Sequence, residues 1–126
     1  MSFIIAGELL DACVLGALLA APAYGYELTQ NTQSKLGVSE SALYPVLRRL
    51  LRDGLLSSFD EPYDGRNRRY YRLTEEGYRA LFKYEAEWRR YKESIGYFLD
   101  GSDKSPSYEQ GQLLETNGQK GDTQGE

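Results

Sequence analysis

The stretch that decides the fold is residues 37–77, which read GVSESALYPVLRRLLRDGLLSSFDEPYDGRNRRYYRLTEEG. Its first part predicts a helix that begins at a capping serine, Ser39 or Ser41, and ends near Asp53. The apolar residues at helical spacing form the predicted inner face of this helix: Leu43, Val46, Leu47 and Leu50. Its outer face is polar and carries several arginines, which leaves that face free to meet a partner.

The second part of the stretch predicts a β-hairpin. Two short strands, Leu55–Glu61 and Arg68–Thr74, flank the turn signal Pro62–Gly65. Strand alternation sends Tyr71 and Leu73 towards the core and gives the other face a basic character, with Arg68, Tyr70 and Arg72. A two-stranded hairpin is marginal by itself, so we expect it to pack on the helices.

Two further helices are predicted before this stretch. Glu8–Ala21 has a wide apolar face and closes at Pro22, and Tyr24–Leu36 ends at Gly37. The short glycine-containing turn from the second helix to the third is typical of a helix-turn-helix. With the hairpin that follows, the order of elements predicts a winged helix-turn-helix.

A fourth helix is predicted from the cap Thr74 to about Leu99. Its large apolar residues repeat at spacings of three and four, which is a coiled-coil seam, and we expect them to form a dimer interface: Leu81, Tyr84, Trp88, Tyr91, Ile95 and Phe98. The predicted fold is therefore mainly α-helical with a small β-hairpin. It consists of a winged domain over residues 1–74, a C-terminal dimerisation helix over 75–100 and a disordered acidic tail over 101–126.

The charge distribution changes how the composition should be interpreted. The 126-residue chain has a net charge of −4, yet residues 1–99 hold 13 basic and 13 acidic side chains, so the whole excess lies in residues 100–126. Tyr44–Arg72 carries seven arginines against four acidic residues, a local charge of +3. A basic hairpin beside an exposed helix face favours DNA binding, and an adaptor protein that binds only other proteins would not need it.

Several function classes are excluded or made improbable by composition. The chain has no histidine and one cysteine, so it cannot form a histidine-based triad, a thiolate metal cage or an internal disulfide, and we expect no cofactor and no enzyme activity. Cys13 lies among apolar residues and is interpreted as a core residue rather than a redox or metal site. No basic residue precedes the apolar N-terminal run, which Glu8 and Asp11 interrupt, so we expect a cytoplasmic protein rather than an exported one.

The candidate DNA-contacting side chains lie on the third helix and on the hairpin. Helix residues reach base edges in the major groove, whereas hairpin arginines meet the phosphate backbone. Tyr44 has an alternative interpretation as a packing residue beside Pro45. The predicted contacts are Ser39, Ser41, Tyr44, Arg48, Arg49, Arg66, Asn67, Arg68 and Arg69.

Four segments together resemble the PadR family of transcriptional regulators: Gly25–Leu28, Ser41–Leu50, Asp53–Leu56 and Gly65–Gly77. The resemblance covers about residues 9–99 and includes the mid-helix Tyr44-Pro45 pair. It departs from the family pattern at Leu43, where isoleucine is usual, and at Leu51 and Arg52, where glutamates are frequent. The resemblance implies a bacterial DNA-binding dimer of the compact subgroup, usually a repressor released by a small molecule.

The resemblance also implies a place for that small molecule. Some compact members bind flat aromatic drugs between their two subunits, against a tryptophan of the last helix, and Trp88 falls at the matching place. The expected effector-contacting residues are Trp88 and Tyr91, with Val14, Leu18 and Phe3 of the N-terminal part lining the same space. The alternative for the whole chain is a winged-helix adaptor between proteins without sequence-specific DNA binding.

Overall fold

The computed structural model describes residues 3–101. Its elements are α1 (Gly7–Ala17), β1 (Ala23–Tyr24), α2 (Gly25–Leu36), α3 (Glu40–Arg52), β2 (Leu56–Tyr63), β3 (Arg66–Leu73) and α4 (Glu75–Leu99). The mainly α-helical fold class with a small antiparallel sheet is thereby confirmed. The predicted tail lies outside the described residues from position 102 onward.

The chain forms two compact units, one reaching to Glu87 and the other beginning at Trp88. Helix α4 runs through this boundary. Its first half belongs to the winged unit, because Leu81 is buried in that unit's core and Tyr84 packs against it. The predicted domain boundary after Thr74 remains a prediction.

Helix α1 is shorter than the sequence predicts, since it ends at Ala17 rather than Ala21. The amide of Leu18 donates to the carbonyl of Leu15 at 3.1 Å, a tightened final turn. The chain must then turn within a few residues, because Ala23 is extended and pairs with Tyr71. The apolar run continues past the helix end, so hydrophobic periodicity alone could not locate it.

The helix-turn-helix forms as its sequence signals predict. Gly37 ends α2 with a φ of 72°, a left-handed conformation that favours glycine. Ser39 caps α3, because its Oγ accepts a hydrogen bond from the amide of Ala42 at 3.2 Å. Of the two serines that could cap this helix, the structure therefore selects the first.

The antiparallel sheet has three strands in the order β1-β3-β2, where the sequence predicts only a two-stranded hairpin. The additional strand is two residues long, and in it Ala23 pairs with Tyr71 and Tyr24 with Tyr70. Two residues are too few to show strand alternation, so this strand is defined only by its pairing with β3.

The wing turn is also tighter than predicted, with two residues, Asp64 and Gly65, instead of four. Both have positive φ, 54° and 78°, as in the type I′ turns that join twisted strands. The strands consequently extend further, and Pro62 lies within β2 opposite Asn67. Proline is tolerated there because β2 is an edge strand of the sheet.

The core of the winged unit is formed mainly by leucines from all four helices and the sheet. Tyr71 and Leu73 are buried, which confirms the predicted alternation of β3. Gly77 in the first turn of α4 is packed so closely that a Cβ atom there would overlap the carbonyl oxygen of Leu55. The buried apolar residues are Leu10, Val14, Leu15, Leu18, Leu28, Leu43, Leu47, Leu50, Leu56, Tyr71, Leu73 and Leu81.

Candidate nucleic-acid interface

The outer face of α3 presents Ser41, Tyr44 and Arg48, all exposed, because the leucines of its inner face are buried. The Tyr44 hydroxyl donates to the carboxylate of Glu40 at 3.5 Å, one turn earlier. Partial burial, followed by the negative charge of Glu40, raises the pKa of Tyr44 above its ordinary value. The phenol therefore keeps its proton at neutral pH and remains a hydrogen-bond donor.

Ser39 has a local partner that limits its availability to DNA. Its Oγ accepts from the amide of Ala42, and it also lies 3.2 Å from the Oγ of Ser41. The first contact satisfies an otherwise unpaired amide at the helix start. Ser39 therefore has a structural role as a helix cap, while Ser41 projects from the first turn of α3.

The wing carries four predicted contact residues at the start of β3. Arg66, Asn67 and Arg69 are exposed, and Arg68 is half-buried. Arg69 faces Asp60 across the hairpin at 3.5 Å. Because both side chains of that pair are solvated, the attraction is weak, and a phosphate can compete with Asp60 for the guanidinium.

A cleft of about 420 Å³ brings the two predicted contact regions together. Tyr44 of α3 lines it from one side, and Asn67, Arg68 and Arg69 line it from the wing. Tyr26, in the first turn of α2, also lines the cleft. The cleft therefore gathers cationic and neutral hydrogen-bond donors from three elements, which suits an anionic ligand such as a phosphodiester.

Arg49 differs from the other predicted contacts. Its guanidinium donates two hydrogen bonds to the carboxylate of Asp11 in α1, at 2.9 Å and 2.7 Å. Sequence position alone placed Arg49 beside Arg48 on a basic helix end, but the structure turns it towards α1. We therefore leave Arg49 out of the DNA-contacting set that we propose below.

The aromatic residues around Arg68 were not among the contacts predicted from the sequence. The Arg68 guanidinium lies over the rings of Tyr24 and Tyr63, with its carbon 4.4 Å and 3.4 Å from the two ring centroids. Strand alternation within β2 and the tyrosine content were available signals, but the pairing of Tyr24 with β3 was not. These two tyrosines join the site through tertiary structure.

The residues of the predicted α4 seam differ in how far their own chain buries them. Leu81 is only 6% exposed within its own chain, so it is not available to a second subunit. Tyr84 is partly buried against the core of the winged unit. In the second unit, the exposed fractions of the remaining four are 42, 56, 40 and 65% for Trp88, Tyr91, Ile95 and Phe98.

The expected effector residues are likewise divided. Val14 and Leu18 are closed off in the core of the winged unit, whereas Phe3 is exposed. Trp88 and Tyr91 are exposed in the second unit, and their ring centroids lie 6.5 Å apart with a tilt of 49°. Of Val14, Leu18, Trp88 and Tyr91, only the two aromatic residues of α4 are therefore accessible to a ligand.

Other kinds of site find no support in the part of the chain that the structure describes. Within residues 3–101, no group of three acidic or cysteine side chains is placed to hold a metal ion. Burial raises the pKa of the half-buried Cys13 thiol, which keeps it protonated and unreactive. No helix within those residues combines the length and the apolar character needed to span a membrane.

Comparisons with known proteins identify the family to which this chain belongs. The model of the transcriptional regulator PadR-like family matches residues 14–83. An uncharacterized protein of Lysinibacillus sphaericus is 34% identical over 105 residues, which cover 79% of this chain and 95% of that protein.

Solved structures give the same result. The crystal structure of smu.1704 from Streptococcus mutans has a TM-score of 0.74 at 30% identity and covers 83% of this chain and 99% of that one. A PadR family transcription regulator from Clostridium difficile has a TM-score of 0.66 at 29% identity, with coverage of 71% and 97%. The family model spans more than half of the chain, and the winged helix-turn-helix fold is shared. The chain therefore belongs to the PadR-like family of transcriptional regulators and is not an enzyme.

Proposed function

We propose that this protein is a homodimeric repressor that binds a specific operator in the cytoplasm of a bacterium and is released by a planar aromatic molecule. The observation that carries the DNA-binding part is the cleft in which Tyr44 of α3 meets Asn67, Arg68 and Arg69 of the wing. A helix in the major groove and a wing on the flanking backbone bring both of these surfaces to DNA at once.

The roles divide by chemistry. Ser41, Tyr44 and Arg48 project from α3 and are proposed to contact base edges or the nearest phosphates. Arg66, Asn67, Arg68 and Arg69 are proposed to contact the phosphate backbone, which carries no sequence information. The wing therefore supplies affinity for any DNA, and α3 supplies preference for the operator.

The proposed partner of α4 is a second copy of the chain. Trp88, Tyr91, Ile95 and Phe98 repeat at coiled-coil spacing and leave a large apolar surface exposed on one helix. A two-fold dimer covers the same surface on both subunits and presents two copies of α3 to a pseudo-palindromic operator.

The proposed effector site is the aromatic surface of Trp88 and Tyr91 within that dimer. Broad rings tilted against each other pack poorly as coiled-coil knobs and leave flat faces for a planar ligand. A ligand that binds better to an arrangement unable to contact the operator lowers DNA affinity by shifting the population.

The test is a binding titration with a labelled duplex from the region upstream of the protein's own gene, alongside a duplex of mixed sequence. We expect tighter binding to the upstream duplex at physiological salt, since specific complexes exceed non-specific ones by about 10³-fold or more. If the protein binds both duplexes with equal affinity and loses this binding at physiological salt, it does not regulate a specific operator. No binding to either duplex at low salt would favour the adaptor alternative.

A further inference from the structure

Arg68 is held against aromatic rings rather than against an acidic partner. Its guanidinium carbon lies 3.4 Å from the centroid of the Tyr63 ring and 4.4 Å from that of Tyr24. Glu61 is its cross-strand neighbour, yet within residues 3–101 no carboxylate forms an ion pair with Arg68. Arg69, next in the chain, does pair with a carboxylate, that of Asp60.

The short distance to Tyr63 determines how the two groups meet. A planar guanidinium whose carbon is 3.4 Å from a ring centroid must lie roughly parallel to the ring, because an edge-on approach would force its nitrogens into ring atoms. In the parallel arrangement the N–H groups point sideways in the guanidinium plane. They remain free to donate to two oxygens of one anion.

One of the two rings that contact Arg68, that of Tyr24, packs against the other aromatic residues of the sheet. The Tyr24 ring lies 5.8 Å from that of Tyr70, which stacks on Phe59 at 5.5 Å with an angle of 15°. Arg72 lies over Phe59 at 4.8 Å. These side chains come from all three strands, so the outward face of the sheet is a continuous array of rings and arginines.

We propose that Tyr63 and Tyr24 are positioning residues, which hold the Arg68 guanidinium with its N–H edge open to the cleft for a phosphodiester of the DNA backbone. This inference rests on the proposed function and specifies one of its contacts. A free arginine loses rotamer freedom when it binds a phosphate. An arginine already stacked on rings loses less, so its contact contributes more to affinity.

The experiment measures affinity by fluorescence anisotropy for a fluorescein-labelled duplex of mixed sequence, over a range of salt concentrations. Tyr63→Leu removes the ring, and Tyr63→Phe keeps the ring and removes only the hydroxyl. Tyr78→Leu is the matched control, since Tyr78 is an exposed tyrosine of α4 outside the wing. Thermal melts establish that each variant is folded.

We expect Tyr63→Leu to weaken binding about 3–10-fold, the effect of ordering one long side chain. Tyr63→Phe and Tyr78→Leu should bind as the parent does. The slope of log affinity against log salt should stay unchanged in Tyr63→Leu, because the phosphate contact is still made, and fall by about one in Arg68→Ala. Arg68→Lys should not recover the affinity that Arg68→Ala loses, because an ammonium group has no planar face to stack on the ring.

The double variant Tyr63→Leu/Arg68→Ala decides the mechanism. If Tyr63 acts through Arg68, the double variant binds no more weakly than Arg68→Ala alone. If the affinity losses of the two single variants multiply in the double variant, or if Tyr63→Phe loses as much affinity as Tyr63→Leu, Tyr63 contacts DNA independently. Either result would overturn the positioning role. An unchanged slope and affinity in Arg68→Ala would overturn it too. Failure of the parent protein to bind any duplex would instead refute the proposed function itself.

Discussion

The guanidinium of Arg49 on α3 and the carboxylate of Asp11 on α1 form a two-hydrogen-bond ion pair, 38 residues apart in the chain. The Asp11 side chain is 8% exposed and that of Arg49 is 39% exposed. The hydrogen bonds to Asp11, with its negative charge, raise the pKa of Arg49 above an already high value. The cation therefore persists at every pH at which the protein would be studied, and the pair fixes α3 to α1.

The ion pair predicts an asymmetry between its two partners. Arg49→Ala leaves the buried Asp11 carboxylate without its ion-pair partner. The change should destabilise the fold by about 2–3 kcal/mol, somewhat less than the loss of one partner from a fully buried pair. Asp11→Ala leaves a partly solvated guanidinium and should cost less. Urea unfolding measures both, and Arg48→Ala is the control on the neighbouring exposed arginine.

The same variants separate structure from DNA contact. We expect Arg49→Ala to keep the parent's slope of log affinity for DNA against log salt concentration. Arg48→Ala or Arg66→Ala should reduce the affinity for DNA. If Arg49→Ala lowered the slope by about one without loss of stability, Arg49 would belong to the phosphate contacts after all.

The cap of α3 predicts different roles for its two serines. Ser39→Ala removes the acceptor of the Ala42 amide and should destabilise the protein by about 1 kcal/mol. Ser39→Asp should restore most of that stability, since aspartate caps as well as serine does. Ser41→Ala should change stability little and act on DNA preference instead. Thermal unfolding of the three variants checks the assignment, and a larger loss in Ser41→Ala would contradict it.

The close packing at Gly77 predicts a strong effect of one added methyl group. Gly77→Ala would drive its Cβ into the Leu55 carbonyl oxygen and should destabilise the winged unit by about 3 kcal/mol. Gly16→Ala is the control, because the nearest atom to a Cβ there is Leu81 Cδ1 at 3.9 Å. Alanine is the better helix former, so that change should be neutral or stabilising by up to about 1 kcal/mol. Equal melting temperatures of the two variants would refute the packing argument.

The exposed seam of α4 predicts how the dimer can be broken. Ile95→Arg introduces a charge among Trp88, Tyr91 and Phe98 and should shift sedimentation from a dimer to a monomer at micromolar concentration. Glu93→Arg places the same side chain on the opposite face of the helix and should leave the dimer intact. A monomeric parent protein, or a dimer that survives Ile95→Arg, would argue against this seam as the interface.

The effector proposal can be tested through the protein's single tryptophan, Trp88. Titration with proflavine, a planar aromatic cation, should quench its fluorescence saturably in the absence of DNA. Tyr91→Ala removes one of the two rings and should weaken binding several-fold, while Tyr78→Ala should not. Quenching that rises linearly without saturation would indicate collisions rather than a site. If the ligand still releases the Trp88→Ala variant from the upstream duplex, Trp88 has only a packing role.

The sequence by itself determined the helix-turn-helix, the wing and the basic surface, because each has a local cause. Gly37 favours a left-handed turn, a serine before α3 and Thr74 before α4 are helix caps, and Pro62–Gly65 signals a chain reversal, which the structure narrows to Asp64-Gly65. The local charge of +3 between Tyr44 and Arg72, hidden under an overall −4, can also be read from the chain alone. These signals act over a few residues, so they can be recognised without knowledge of the rest of the fold.

Tertiary structure alone decided which side chains remain free for a partner. Arg48 and Arg49 are adjacent in sequence, but only Arg49 reaches Asp11, because the crossing of α1 and α3 sets that distance. Leu81 shares the spacing of the α4 seam but is buried by its own chain. Tyr24 contacts Arg68 only through the pairing of β1 with β3. Contacts between residues distant in sequence depend on how the elements pack, and periodicity along one element carries no information about that packing.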